Sequence, residues 1–406
     1  MRMGVGFILS ILLILIGFAP SATAFTEEQR LVSEVWRIVD RAYVDGTFNH
    51  QNWWIVRQRA LREPLTNREE TYQTIQKMLA SLDDPFTRLL EPEQYRSLQT
   101  NTSGELTGVG LQITRDTPEA ELRVITPIEG SPAEAVGILP GDRILEIDGM
   151  PTQGLSLDDA ANQMRGAVGS SVVLTVKREE QPTFTVEIRR DHISLNPVYA
   201  ELRETEAGLQ VGYIRLSQFN ANATMEVAHA IAHLTEEGAE AYILDLRNNP
   251  GGLLQAGIEI ARLWLNEGTV VYTVNRDGIQ DSFSATGSAL TDDPLVVLVN
   301  RATASASEIL AGALQDNGRA KLVGEKTFGK GLIQSLFSLS DGSGLAVTIA
   351  RYETPDHHNI HRQGIQPDVP VALDFIRRDQ FATEADQQYQ TAVNLLTHPT
   401  VVADAA

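Results

Sequence analysis

The sequence predicts a multidomain α/β protein, and three observations carry that reading. Residues 26–82 place apolar side chains at helical spacing. Residues 102–190 change to short strand-like runs separated by glycine turns. Beyond residue 190, apolar strand-like runs alternate with helical patterns, the signature of an α/β core with partly parallel pairing. The expected division is a segment at 1–24, a helical unit at 25–100, an inserted β-rich unit at 101–190 and a mixed α/β core at 191–406 completed by flanking segments.

Residues 1–24 read as a secretory signal. Arg2 supplies the positive start, Val5 to Ala19 the apolar stretch, and Ala22-Thr23-Ala24 a small-residue cleavage site. The apolar stretch is short of the roughly 20 residues that span a bilayer, and no Arg-Arg pair marks twin-arginine export. An uncleaved anchor is the alternative. The expected mature chain begins near Phe25, on the far side of a membrane.

Bulk composition excludes several chemistries. Without cysteine there is no disulfide, no thiolate nucleophile and no Cys-bound zinc. A net charge of −20 disfavours nucleic acid, which is held by clustered Lys and Arg.

The first helix is expected over 26–44, opened by a Thr26–Gln29 capping box, with Leu31, Val35, Ile38, Val39 and Ala42 on one face. Further helices are expected over 52–62 and 67–82, with Trp36, Trp53 and Trp54 in their core. In the core region, strands are expected over 212–216, 241–246 and 295–299, and helices over 223–236, 253–265 and 308–315.

The order G-V-G-L-Q-I, R-V-I-T-P-I-E-G-S-P-A-E-A and G-D-R-I-L-E-I-D-G within 102–190 resembles a PDZ domain. That resemblance implies a groove that captures a peptide C-terminus, with the Gly108-Val109-Gly110-Leu111 turn at the carboxylate position. Gly108 and Gly110 would let the backbone approach the ligand closely.

Two small-residue turns carry the candidate chemistry. In N-R-A-T-A-S-A-S-E-I, Ser305 precedes a helix, where unpaired N–H groups stabilise developing negative charge. The same Ser305-Ala-Ser-Glu308 run is a capping box, and Thr303 and Ser307 are rival hydroxyls. In G-E-K-T-F-G-K-G-L-I-Q, residues 324–330 match the phosphate-binding pattern G-x-x-x-x-G-K. Position 331 is Gly rather than Ser or Thr, and the alternation that follows is strand-like, so nucleotide binding is excluded. Lys330 instead stands beside Phe328, Leu332 and Ile333, neighbours expected to desolvate it toward a neutral base.

Residues 302–334, with L-D-D-P-F-T-R-L-L at 82–90, G-Y-I-R-L-S-Q-F at 212–219 and D-L-R-N-N-P-G-G at 245–252, resemble the carboxyl-terminal processing (tail-specific) proteases. The resemblance implies a protease core with an inserted PDZ domain and an N-terminal helical unit. It implies Ser305 as nucleophile, Lys330 as general base 25 residues later, and Gln334 as the residue orienting that lysine. It implies backbone N–H donors from Gly251 and Ala306 for the oxyanion. Glu308 and Asp316 also match family positions. Asp316, sometimes drawn into the relay, falls three helical turns from Ser305, about 16 Å along the axis.

No metal or cofactor is expected. His229 and His233 lack the Glu of H-E-x-x-H and read as helix-face packing, and His357, His358 and His361 as a polar loop. The segment at 351–368 looks most like the photosynthetic branch, whose members trim a photosystem II reaction-centre precursor in the thylakoid lumen. The expected partner is a protein with a free C-terminal tail; neither nucleotide nor nucleic acid is expected, and peripheral membrane association through the substrate is left open. A general periplasmic processing protease and a catalytically inactive PDZ scaffold are the competing readings.

Overall fold

The computed structural model describes residues 25–398, except 116, 118, 119, 180, 279 and 373–379. The signal-like segment at 1–24 lies outside the described residues. The chain divides into two compact units. One takes the residues up to Pro92 together with Gln334–Thr348, and the other takes Glu93–Ile333 with the residues from Ile349 onward.

The first unit is built on three helices, Glu27–Ala42, Trp53–Ala60 and Arg68–Ala80. Thr26 and Gln29 cap the first reciprocally, each side chain accepting the other's backbone N–H at 3.2 Å. Leu31, Val32, Val35 and Val39 form its buried stripe. Trp36 and Trp53 lock together by donating their indole N–H groups to each other's carbonyls at 2.8 and 3.1 Å. Trp54 departs from its expected place in the core, being 59% exposed. Neighbouring residues on a helix point about 100° apart, so Trp53 going in turns Trp54 out. The hairpin tip contributed by Gln334–Thr348 is tied to these helices by Tyr72 donating to Asp341 and Thr348 donating to Asp84, at 2.8 and 2.7 Å.

Among the described residues the second unit holds two six-stranded β-sheets with helices against them, the two-stranded pair Glu105–Gly108 and Asp191–Ser194, and the hairpin Thr269–Asn275 and Gln280–Ser284. The inserted sheet runs in the order Leu111–Thr114, Leu122–Pro127, Arg143–Ile147, Ser171–Lys177, Phe184–Arg189, all antiparallel. Its core is Leu122, Val124, Ile144, Leu174, Val176 and Ile188, packed against Ala160 and Met164 of the Leu157–Met164 helix.

The second sheet starts with Val198–Glu204 antiparallel to Gln210–Leu216. It continues in parallel through Ala241–Asp245, Leu295–Val299, Ala320–Gly324 and Val369–Pro370. The strands Ala241–Asp245 and Leu295–Val299 are buried at every position, which explains why they are apolar throughout except for the closing Asp245. The helices Ala223–Glu236, Leu254–Arg262 and Ala306–Asp316 supply one layer. Gln387–Thr397 supplies the other, through Tyr389 and Ala392 packed with Tyr213, Ile243 and Leu298. His229 and His233 are exposed rather than packed, the latter 3.7 Å from Glu237.

Where Ala241–Asp245 ends, a charged cluster is sealed in the core. The Arg247 guanidinium bonds to Asp245 at 2.6–3.1 Å and to both oxygens of Asp386 at 2.8 Å, and Tyr213 donates to Asp245 at 2.7 Å. All three charged side chains are fully buried. Burial alone would raise the Asp386 carboxyl, but the hydrogen bonds and charge of Arg247 outweigh it and hold the group below its ordinary value. A depressed carboxylate stabilises the fold above its unfolded pKa, about 4, and loses that contribution as pH falls through the native value. Asp386→Asn should therefore cost about 3 kcal/mol in denaturant unfolding at pH 7. The gap from the parent chain should narrow as the same measurement moves to pH 3; a gap that widens would contradict the assignment.

Candidate active site

The strands Ala241–Asp245 and Leu295–Val299 lie side by side with Asp245 opposite Leu298, so their following loops emerge together at the carboxyl edge of the sheet. Ligand sites in open α/β sheets form at that edge. The loops are sewn together there. Ala304 N–H donates to Asn249 O at 3.0 Å, and Asn248 N–H to the Asn300 side-chain oxygen at 3.0 Å. Thr303 Oγ1 donates to Leu246 O at 2.9 Å and Ser307 Oγ to Asn249 O at 3.0 Å, both hydroxyls fully buried. The two rivals of Ser305 are thus committed to holding the loops.

Ser305 is half-buried and sits at φ 59°, ψ −118°, a conformation that costs a non-glycine residue roughly 1–3 kcal/mol. A strained strand-to-helix turn is how nucleophilic serines are presented on other α/β sheets. The helix Ala306–Asp316 opens directly after it.

Glu308 joins this turn to the lysine turn. Its carboxylate is fully buried, yet one oxygen accepts from Ser305 N–H at 2.9 Å and from Lys330 N–H at 2.8 Å. The other accepts from Gly329 N–H at 2.7 Å and Thr327 Oγ1 at 2.6 Å. The expected capping box is present in its Glu308 half, but Glu308 N–H goes to the Ser305 carbonyl oxygen at 2.8 Å. One carboxylate thereby fixes the main chain of Ser305 against that of Lys330.

The glycines around Lys330 answer to packing, not to a phosphate. A Cβ at position 331 would fall 2.7 Å from His361 N, and one at 329, where φ is +91°, 2.9 Å from Gly364 N. Phe328 does not shield the lysine as expected; it is 58% exposed. Its N–H is held by Thr303 O at 3.0 Å, and its neighbours Thr327 and Gly329 both face Glu308, which turns the ring outward. Lys330 is half-buried, with Leu332 buried beside it.

Comparison with known proteins fits this geometry to a family. Residues 210–371 match the profile of Peptidase family S41, and residues 123–178 that of a PDZ domain. The chain is 60% identical to a carboxyl-terminal-processing protease of Synechocystis sp. over 96% of its length and 92% of the relative's. The chain belongs to peptidase family S41. It is 48% identical to carboxyl-terminal-processing peptidase 2, chloroplastic, of Arabidopsis thaliana, over 89% of this chain and 72% of the relative. The solved photosystem II D1 C-terminal processing protease superposes with a TM-score of 0.56 at 45% identity, covering 86% of this chain and 94% of that one. The protein is a serine-type peptidase with a PDZ domain.

The remaining expected site residues of this S41 peptidase fall in four places. Gly251 has φ +94° and packs on the serine turn so closely that a Cβ would lie 2.7 Å from Ala304 O and 2.8 Å from Ser305 Cβ. Its N–H donates to Asn249 Oδ1 at 2.9 Å, while Ala306 contributes the first N–H of the helix. Gln334 belongs to the other compact unit, where its side-chain amide donates to Thr348 Oγ1 at 3.4 Å. Asp316 closes the helix that Ser305 opens and accepts Asp356 N–H at 3.0 Å, so the structure does not bring it to the two turns. Among the described residues, the grouping with metal-ligand spacing is Asp316, Asp356 and His358, at that far end and mostly exposed.

In the PDZ turn, Val109 is buried in the domain core, and the carbonyls of Val109 and Gly110 are bound by Ala133 N–H and Ile128 N–H, each at 2.9 Å. A Cβ at Gly110 would come within 2.3 Å of Ser131 Cβ, so the close approach that demands glycine here is to Ser131.

Sequence reasoning missed the linking role of Glu308, although its place three residues after Ser305 was the signal. Glu308→Gln keeps the shape but turns an acceptor toward its donors as an NH2 group. It should lower stability by about 1–3 kcal/mol and slow labelling of Ser305 by a fluorophosphonate. Unchanged stability and labelling together would show that the carboxylate does not organise the turns.

Proposed function

We propose that this protein is a processing endopeptidase that removes C-terminal extensions from exported precursors, with Ser305 and Lys330 as its catalytic dyad. The observation that carries the proposal is the convergence of the two turns on the Glu308 carboxylate, which roots both residues on one support. Ser305 Oγ attacks the scissile carbonyl, and Lys330 in its neutral form takes the hydroxyl proton. The lysine then returns the proton to the leaving amine. Water, deprotonated in the same way, hydrolyses the acyl-enzyme. The tetrahedral oxyanion is stabilised by Ala306 N–H at the positive end of the helix. Gly251 N–H is the second donor and shares its proton with Asn249 Oδ1. Gln334 orients Lys330 in this reading, and Asp316, at the far end of the helix, takes no direct part in the proton transfer.

The PDZ domain captures the substrate's free C-terminal carboxylate at residues 108–111, so the cut falls a limited distance upstream of the tail. The likeness to the solved photosystem II D1 C-terminal processing protease supports a photosystem II D1 precursor as the substrate. The signal-like residues 1–24 and that substrate together favour the thylakoid lumen as the location, the periplasm being the alternative.

Ser305→Ala should abolish cleavage of a precursor peptide, and Lys330→Ala should slow it roughly 10²–10⁴-fold with the thermal midpoint preserved. Retained cleavage by Ser305→Ala would exclude the nucleophile. Amidating the peptide's C-terminus should raise KM at least tenfold; equal cutting of the acid and amide forms would contradict tail capture.

A further inference from the structure

Tyr352 is fully buried on the strand Gly344–Glu353, and its hydroxyl reaches two carbonyls at once: Lys330 O at 2.6 Å and Ser305 O at 3.1 Å. Those carbonyls belong to the same two residues whose N–H groups meet on one oxygen of Glu308. Donors and acceptors of the two main chains are therefore bridged separately, one pair by a carboxylate and the other by a phenol. Two bridges at different atoms restrain orientation as well as distance, because a single one leaves the residues free to pivot about it.

We propose that Tyr352 is a positioning residue that sets the orientation of Lys330 toward Ser305, acting through the carbonyl groups of both. The proposal rests on the dyad reading above. Its chemistry is asymmetric: one hydroxyl proton serves two acceptors, and the shorter contact gives Lys330 the larger share. Burial, and then the nearby Glu308, push the phenol well above its ordinary pKa, so it keeps that proton throughout the working range. Tyr352 N–H donates to Gly331 O at 3.2 Å, which ties its own main chain to the residue following the lysine. The ring belongs to the apolar core with Leu310 and Ile365, so removing the hydroxyl alone leaves the packing in place.

The test is a cycle of full-length variants read by the rate at which a fluorophosphonate phosphonylates Ser305 with loss of fluoride, alongside kcat and KM for a precursor peptide. Tyr352→Phe should slow phosphonylation and kcat roughly 10- to 100-fold with KM unchanged, as expected for displaced catalytic groups. In a Lys330→Ala background the same change should cost less than twofold, since the residue through which it acts is gone. An equal loss in both backgrounds, or no loss in the parent, would overturn the proposal. If Tyr352→Phe does not fold, 3-fluorotyrosine at position 352 keeps ring and hydroxyl while altering donor strength. A rate change in the parent alone then supports the proposal, and the same change in both backgrounds, or none in either, rejects it. Phosphonylation of Lys330→Ala at the parent rate would instead defeat the dyad reading, an outcome visible without any change at Tyr352.

Discussion

A buried carboxylate is costly unless its oxygens are fully used, and Glu308 makes that cost into a specification. Its four partners come from two segments, Ser305 on one side and Thr327, Gly329 and Lys330 on the other. No smaller set of donors satisfies it, so the state in which the charge is tolerated is the state in which the two turns are assembled. Thr327 Oγ1 also accepts Ile365 N–H at 2.7 Å, which extends the same requirement to a third segment. The Asp245–Arg247–Asp386 cluster applies the same logic behind the neighbouring loop. There the partners lie 139 residues apart in the chain and meet only when the last helix docks.

The parts of the fold that rest on periodicity were legible in the sequence. Leu295–Val299 reads as a buried strand because it is apolar at every position, and Glu27–Ala42 reads as a helix because its stripe and its cap agree. Side-chain direction was less legible where two similar residues stand together. Trp53 and Trp54 share a composition but not a direction, and Phe328 is turned out by hydrogen bonds of its neighbours that no local pattern announces.

The site was legible in its motifs and not in its supports. Ser305 could not be separated from Thr303 and Ser307 by sequence, because what separates them is whether a carbonyl of the neighbouring loop, Leu246 or Asn249, takes the proton. Tyr352 falls in the segment at 351–368, but nothing in its local sequence marks its hydroxyl as a support. Gly329, which with Gly324 gave the lysine turn its phosphate-loop appearance, and Gly331, which departs from that pattern, are both explained by the backbone of 361–364 running against them.

The twisted backbone of Ser305 has a consequence beyond geometry. Its φ of 59° is held where Ala304 bonds to Asn249 and Ser305 bonds to Glu308, whose carboxylate also takes Lys330 N–H. A chain that has not brought these loops together lacks that grip and leaves the serine free to take an ordinary conformation. Under the proposed dyad, hydrolytic competence is therefore a property of the assembled fold and absent from a half-folded copy. Tertiary structure serves here as the safety catch.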